Sequence, residues 1–208
     1  ERHGAAGLAA LEGLLAEARQ AGLLVIADAK RGDVESTSAA YADAWLGDGP
    51  LAADAVTATP YVGLGALSPM VDLARRHGRC VLVVVRTSNR EGRAVQESVT
   101  ALGVALEDAL FAEIAEANRV SPGALGAVVG ATLEPSRFDL AGLGGPVLAP
   151  GVGAQGATPG DVGRRFSGLA VGAVLPSASR SLLDLGPAEA ALRAGAAELR
   201  DALARALA

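Results

Sequence analysis

Leu23-Leu24-Val25-Ile26-Ala27-Asp28-Ala29-Lys30-Arg31-Gly32-Asp33 runs from an uninterrupted apolar stretch into two carboxylates set around one ammonium. The run 23–28 reads as a short parallel strand covered on both faces. If extended geometry persists beyond it, Asp28 and Lys30 project to the same side. Unlike charges on the last residues of a core strand are costly to place there and point to an active site; a solvated, charge-rich surface turn after the strand is the bland alternative for Asp28, Lys30 and Asp33. Lys30 is the chain's single lysine; its other long basic side chains are arginines. An arginine does not readily release a proton, whereas a lysine between carboxylates can be held charged and still deliver one.

Outward from this stretch the same alternation recurs. Apolar runs near 23–28, 55–59, 80–86, 125–131, 147–149 and 170–176 read as six strands, each followed by a helical pattern. Leu8, Leu11, Leu15 and Ala18 stripe a helix before the first strand. Leu102, Leu106, Leu110 and Ile114 stripe one after the third, and Leu192, Ala196, Leu199 and Leu203 the last. Such alternation predicts parallel βα units with right-handed crossovers, an α/β fold. Polar residues fall at the C-terminal end of every strand: Asp28/Lys30, Thr59-Pro60-Tyr61, Arg86-Thr87-Ser88-Asn89, Thr132, Pro150 to Gly153, and Ser177 to Arg180. A (β/α)8 TIM barrel gathers all its strand ends on one face, whereas an open doubly wound sheet uses chiefly those at its switch point. The barrel is therefore the expected architecture, as a single domain over 1–208. Six units in 208 residues fall short of a barrel's usual ~250 residues, and the chain begins Glu1-Arg2-His3 without Met. The expectation is that the first two βα units are largely absent.

Composition removes several function classes. The formal charge is −5 and no long basic run occurs, so nucleic acid is not an expected partner. No apolar stretch reaches the roughly 18 residues of a membrane span, and no secretory pattern is present. One cysteine, Cys80, excludes an intramolecular disulfide and suits a reducing cytoplasmic setting; it reads as a small buried hydrophobe at the start of a strand. His3 and His77 fall away from the strand ends, and no metal-ligand cluster is apparent.

Two further segments carry chemistry. Pro150-Gly151-Val152-Gly153-Ala154-Gln155-Gly156 places a G-x-G-x-x-G spacing after a strand. A dinucleotide fingerprint needs an acid about 20 residues on, and Ala170 to Pro176 supplies none. Thr158 and Pro159 read as the N-cap and first residue of a helix. Loop amides before a helix start can hold a single phosphate, with Gln155 adding a side-chain donor; a plain glycine-rich connection is the bland alternative. Ser179-Arg180-Ser181 follows the last strand, and Arg180 can grip phosphate oxygens in a fork or make an ordinary surface ion pair. The loops after the seventh and eighth strands of barrels commonly form a phosphate site. Thr87-Ser88-Asn89 offers neutral hydrogen-bonding groups, or a capping turn.

Together these motifs resemble the orotidine 5′-phosphate decarboxylase family in its bacterial, actinobacterial-like branch. The signature D-x-K-x-x-D stands as Asp28, Lys30 and Asp33, continuing through Val34 to Thr37. Pro150 to Gly156 resembles the phosphate loop, Ser179-Arg180-Ser181 the terminal arginine segment, and Ser88 the pyrimidine contact. The resemblance implies decarboxylation of orotidine 5′-monophosphate to UMP, without cofactor or metal. It also implies a homodimer in which Asp33 and Thr37 reach the neighbouring site. Lys30 and Asp28 are then catalytic with Asp33, while Thr37, Ser88, Pro150, Gln155, Ser179 and Arg180 bind substrate. The family's first-strand Asp and second-strand Lys have no counterpart here, and Thr59 stands where Asn is expected. A Mg²⁺-dependent sugar-phosphate decarboxylase or aldolase of the same barrel suprafamily shares the D-x-K-x-x-D core. A non-catalytic phosphate-binding domain is the remaining alternative, should the protein begin at Glu1.

Overall fold

A computed structural model describes residues 2–133, 140–170 and 172–208. Among these residues six parallel strands alternate with helices, and strand order in the sheet is chain order, β1 to β6. A doubly wound sheet departs from chain order at its switch point, so sequential order agrees with the barrel expectation. The chain divides into two compact units, Glu1–Val84 with Val120–Leu125, and Val85–Arg119 with Gly126–Ala208.

In the first unit, α1 (Gly4–Gln20) leads to β1 (Ile26–Arg31), α2 (Glu35–Leu46), β2 (Ala55–Ala58), α3 (Ser68–His77) and the start of β3 (Cys80–Arg86). β1 pairs with β2, and β2 with β3. All four residues of β2 are buried, as expected of a strand covered on both faces. Leu46, Val56, Leu67, Met70 and Val81 to Val83 form a core with no measurable exposure, and α2 packs on α3 above it.

The second unit holds the end of β3, α4 (Arg93–Gln96), most of α5 (Leu106–Val120) and of β4 (Leu125–Val129), β5 (Val147–Pro150), α6 (Pro159–Phe166), β6 (Val174–Ser177), α7 (Arg180–Leu183) and α8 (Glu189–Leu207). β4 pairs with β5 and β5 with β6. Ile114, Ala127, Leu143, Val147 and Val162 are fully buried, and Phe166 nearly so. α6 meets α8 at Gly163, where a Cβ would lie 2.3 Å from the Ala206 carbonyl oxygen. Glycine is needed there for close approach.

Several expectations require correction. β1 begins at Ile26, not 23, and runs through the charged motif to Arg31. Leu23 and Leu24 are 62% and 86% exposed, in the connection after α1, and β1 alternates half-buried with exposed residues instead of being covered on both faces. An unbroken apolar run cannot by itself separate a core strand from an exposed approach to one. Leu102 lies in a turn before α5, and Leu8 and Ala196 are exposed on their helices. Between β4 and β5 the described residues hold a 3-10 turn, Leu140–Leu143, in place of an α-helix. β6 starts at Val174, and residue 171 of the expected 170–176 strand lies outside the described residues, as does Glu1.

Candidate active site

The end of β1 is built around a bulge. Ala27 pairs with Val56 and Arg31 with Ala58, so β1 uses four residue steps against two in β2. Within the bulge Lys30 has φ +48°, a left-handed conformation that costs a non-glycine residue about 1–2 kcal/mol. Extended geometry therefore does not persist from Asp28 to Lys30, yet the two side chains meet. Lys30 Nζ donates to Asp28 Oδ1 and Oδ2, both at 2.6 Å. The side chains are 54% and 60% exposed, so the pair contributes only about 0–1 kcal/mol to stability. Its importance is geometric.

Gly32 explains the glycine inside the motif. A Cβ there would stand 2.3 Å from the Thr59 carbonyl oxygen and 2.7 Å from Thr59 Oγ1. The Thr59 amide in turn donates to the Arg31 carbonyl at 2.8 Å. Thr59, at the expected Asn position, is thus packed directly on the motif. Arg31 lies over the Tyr41 ring at 5.4 Å, a cation–π geometry. Asp33 does not join the Lys30–Asp28 pair: its Oδ1 accepts from the Val34 amide at 2.8 Å. Thr37 is exposed on the first turn of α2.

At the end of β3, in the second unit, Thr87-Ser88-Asn89 forms a bend with Ser88 and Asn89 exposed. Asn89 makes no side-chain cap; its Oδ1 accepts from Thr87 Oγ1 at 2.6 Å. Gln96 holds the bend, its Oε1 accepting from the Thr87 amide at 3.1 Å and its Nε2 donating to Thr87 Oγ1 at 2.8 Å. Beneath it Arg86 is buried between Glu107, at 2.9 Å, and Glu97. Burial alone would lower the guanidinium's pKa, but the hydrogen bonds and charges of both glutamates outweigh it and raise it.

The glycine-rich segment after β5 is a tight loop whose Gly151, Gly153 and Gly156 all have positive φ. The Gly151 and Val152 amides donate to Ser177, the Gly153 amide to Ala157, the Gly156 amide to Gly153 and the Ala157 amide to Gly151. Two of these amides tie the loop to β6 and three close the loop on itself, which its positive φ values allow. The exposed Gln155 folds back toward Gly151, whose Cβ would lie 2.9 Å from Gln155 Oε1. Pro150 closes β5, half-buried.

Thr158 and Pro159 start α6 as the sequence implied, in a capping box with Asp161. The Thr158 hydroxyl and amide hold the Asp161 carboxylate below the usual range. A cavity of about 350 Å³ beside the loop is lined by Thr132, Gln155, Asp161, Arg164 and Arg165, among others.

Ser179 and Arg180 are exposed at the start of α7, and Ser179 makes no side-chain cap. The glycine loop and this segment touch: a Cβ on Gly153 would lie 2.5 Å from Ser181 Oγ and 2.8 Å from Ser181 Cβ. Both expected phosphate-binding segments therefore share one contact inside the second unit. Sequence reading missed Ser181's packing role, Gln96 and Thr57. Thr57 sits within an apolar run, and its position facing Lys30 depends on a bulge that periodicity does not reveal. Among the described residues no group of three or more His, Cys, Asp or Glu could hold a metal, and no helix is long and apolar enough to cross a membrane.

Comparison with known proteins covers nearly the whole chain. The family model of orotidine 5′-phosphate decarboxylase / HUMPS matches residues 2–194. An orotidine 5′-phosphate decarboxylase of Streptomyces coelicolor is 50% identical over 200 residues, spanning 94% of this chain and 71% of its own length. A crystal structure from Streptomyces avermitilis assigned to the same enzyme superposes with a TM-score of 0.92 at 47% identity, over 100% of this chain and 73% of that one. The OMP decarboxylase of Leishmania donovani gives 0.73 at 29% identity, over 96% and 76%.

Proposed function

The chain belongs to the orotidine 5′-phosphate decarboxylase / HUMPS family, and on that premise we propose that it converts orotidine 5′-monophosphate to UMP in pyrimidine biosynthesis through its own side chains. The reaction breaks the bond between ring carbon six and the carboxylate; carbon dioxide leaves and the electron pair stays on the ring carbon. Lys30 is the group assigned to that charge. A preorganised ammonium stabilises it where water is excluded and then protonates the carbon. Asp28 stands against the substrate carboxylate and, through both oxygens, aims the Lys30 ammonium.

Asp33 is assigned to keeping Lys30 charged, and with Thr37 to the neighbouring site of a cytoplasmic homodimer. Its placement away from the pair in one chain accords with that role. Ser88 is assigned to the pyrimidine, Pro150, Gln155, Ser179 and Arg180 to the remaining substrate contacts, with Gln155 and Arg180 on the phosphate. Binding energy from that remote group can be spent on the reacting centre. A single barrel domain is the architecture we attach to this reading. The sugar-phosphate alternative is not favoured, because relatives at 50% and 47% identity carry the decarboxylase assignment.

The observation that carries the reading is the two-oxygen contact of Asp28 with Lys30 at the end of β1. Its test is decarboxylation of orotidine 5′-monophosphate by the full gene product and its Lys30→Ala variant. Turnover by the wild type and a loss of at least about 10⁴-fold in the variant is expected, from combined loss of charge stabilisation and proton donation. Near-normal turnover by a folded variant refutes the role of Lys30.

A further inference from the structure

We propose that Thr57, a residue that binds no substrate in the reading above, is the positioning residue for the Asp28–Lys30 pair; this rests on the decarboxylase reading. Thr57 lies in the middle of β2 and is 1% exposed. Its hydroxyl is used in both directions. Oγ1 accepts from the Lys30 backbone amide at 3.0 Å and donates to Asp28 Oδ1 at 2.9 Å. One buried atom thereby ties the backbone of the lysine to the carboxylate that aims the lysine's own ammonium.

The tie lies at the β1 bulge. In a regular parallel ladder the amides that face the neighbouring strand donate to its carbonyls. At the register shift, where Lys30 has its positive φ, its amide donates to a side chain of β2 instead. A left-handed lysine persists only where its surroundings over-determine it, and the Thr57 hydroxyl supplies that constraint. Asp28 and Lys30 are both more than half exposed, so their own packing does not fix them. Thr57 is buried between Val56 and Ala58, each with no measurable exposure. Rigid support beneath an exposed pair is what preorganisation requires.

The test compares Thr57→Val, which keeps volume and branching but removes the hydroxyl, with Thr57→Ser, which keeps the hydroxyl. Both are made in the full gene product and assayed with orotidine 5′-monophosphate. Thr57→Val is expected to lower kcat about 100-fold, the scale of a small misplacement of reacting groups, with KM changed less than threefold. Thr57→Ser is expected to stay within threefold of wild type in both constants. A folded Thr57→Val with wild-type kcat overturns the inference, as does a Thr57→Ser that loses as much kcat as the valine variant. If Thr57→Val is insoluble, Thr57→Ala and Thr57→Ser are compared by the same criteria. An inactive wild type defeats the decarboxylase reading and this inference with it, whereas an active wild type with an equally active valine variant defeats this inference alone.

Discussion

Gly153→Ala tests whether the glycine loop and α7 act as one phosphate-binding body. At φ +79° an alanine incurs about 1–2 kcal/mol of backbone strain. Its Cβ would also lie 2.5 Å from Ser181 Oγ and 2.8 Å from Ser181 Cβ, against ordinary contact from 3.4 Å. The hydroxyl can rotate away, but Cβ is fixed to the backbone of α7. The loop and the helix carrying Arg180 must therefore separate by about 0.6 Å, and overpacking of this kind costs about 1–3 kcal/mol. If part of that total falls on the ligand-bound geometry, UMP affinity drops about 10- to 100-fold, at 1.4 kcal/mol per factor of ten. Isothermal titration with UMP measures it. Ser181→Gly removes the overlapping atoms, so the double variant should recover the steric part and keep the strain, a coupling that a double-mutant cycle isolates. Affinity within twofold of wild type in a folded Gly153→Ala refutes the reasoning.

Two further perturbations follow from charge and burial. Glu107→Ala leaves the Arg86 guanidinium short of a buried partner and should destabilise by about 3–5 kcal/mol in urea unfolding, whereas Glu97→Ala, at a 44% exposed side chain, should cost about 1 kcal/mol; equal effects would contradict this ordering. Burial pushes the Cys80 thiol up to about 12 from 9.0, so the native state stays protonated where the unfolded chain ionises. That stabilising contribution is complete below pH 9 and declines between pH 9 and 12 by up to about 1.4 kcal/mol per pH unit. Cys80→Ala should flatten this limb of the stability profile, and identical alkaline profiles would remove the cysteine as its cause.

Much of the frame was legible because it depends on local pattern. β3 spans 80–86 as its apolar run implied, and the Thr158-Pro159 start of α6 follows from capping chemistry alone. A shared side for Asp28 and Lys30 was also anticipated, though from a strand period of two; their contact is made at a bulge with a left-handed lysine. What escaped depends on tertiary contact. Leu23 and Leu24 look as apolar as any core pair, yet both are exposed in the connection after α1. Thr57 gives no signal in its own run, since its value lies in a register shift in another strand. Gly153 was noticed as part of a spacing, but the side chain it accommodates is 28 residues further on.

The end of α8 deserves care in the laboratory for a reason that lies in α6. Gly163 sits hard against the carbonyl of Ala206 in the last turn of α8, and α6 begins immediately beyond the Gln155 loop. Insertions or cleavage within the final turn of α8 would pull on a lever whose other end is the loop assigned to the nucleotide's phosphate. Purification strategies should leave the last helix untouched.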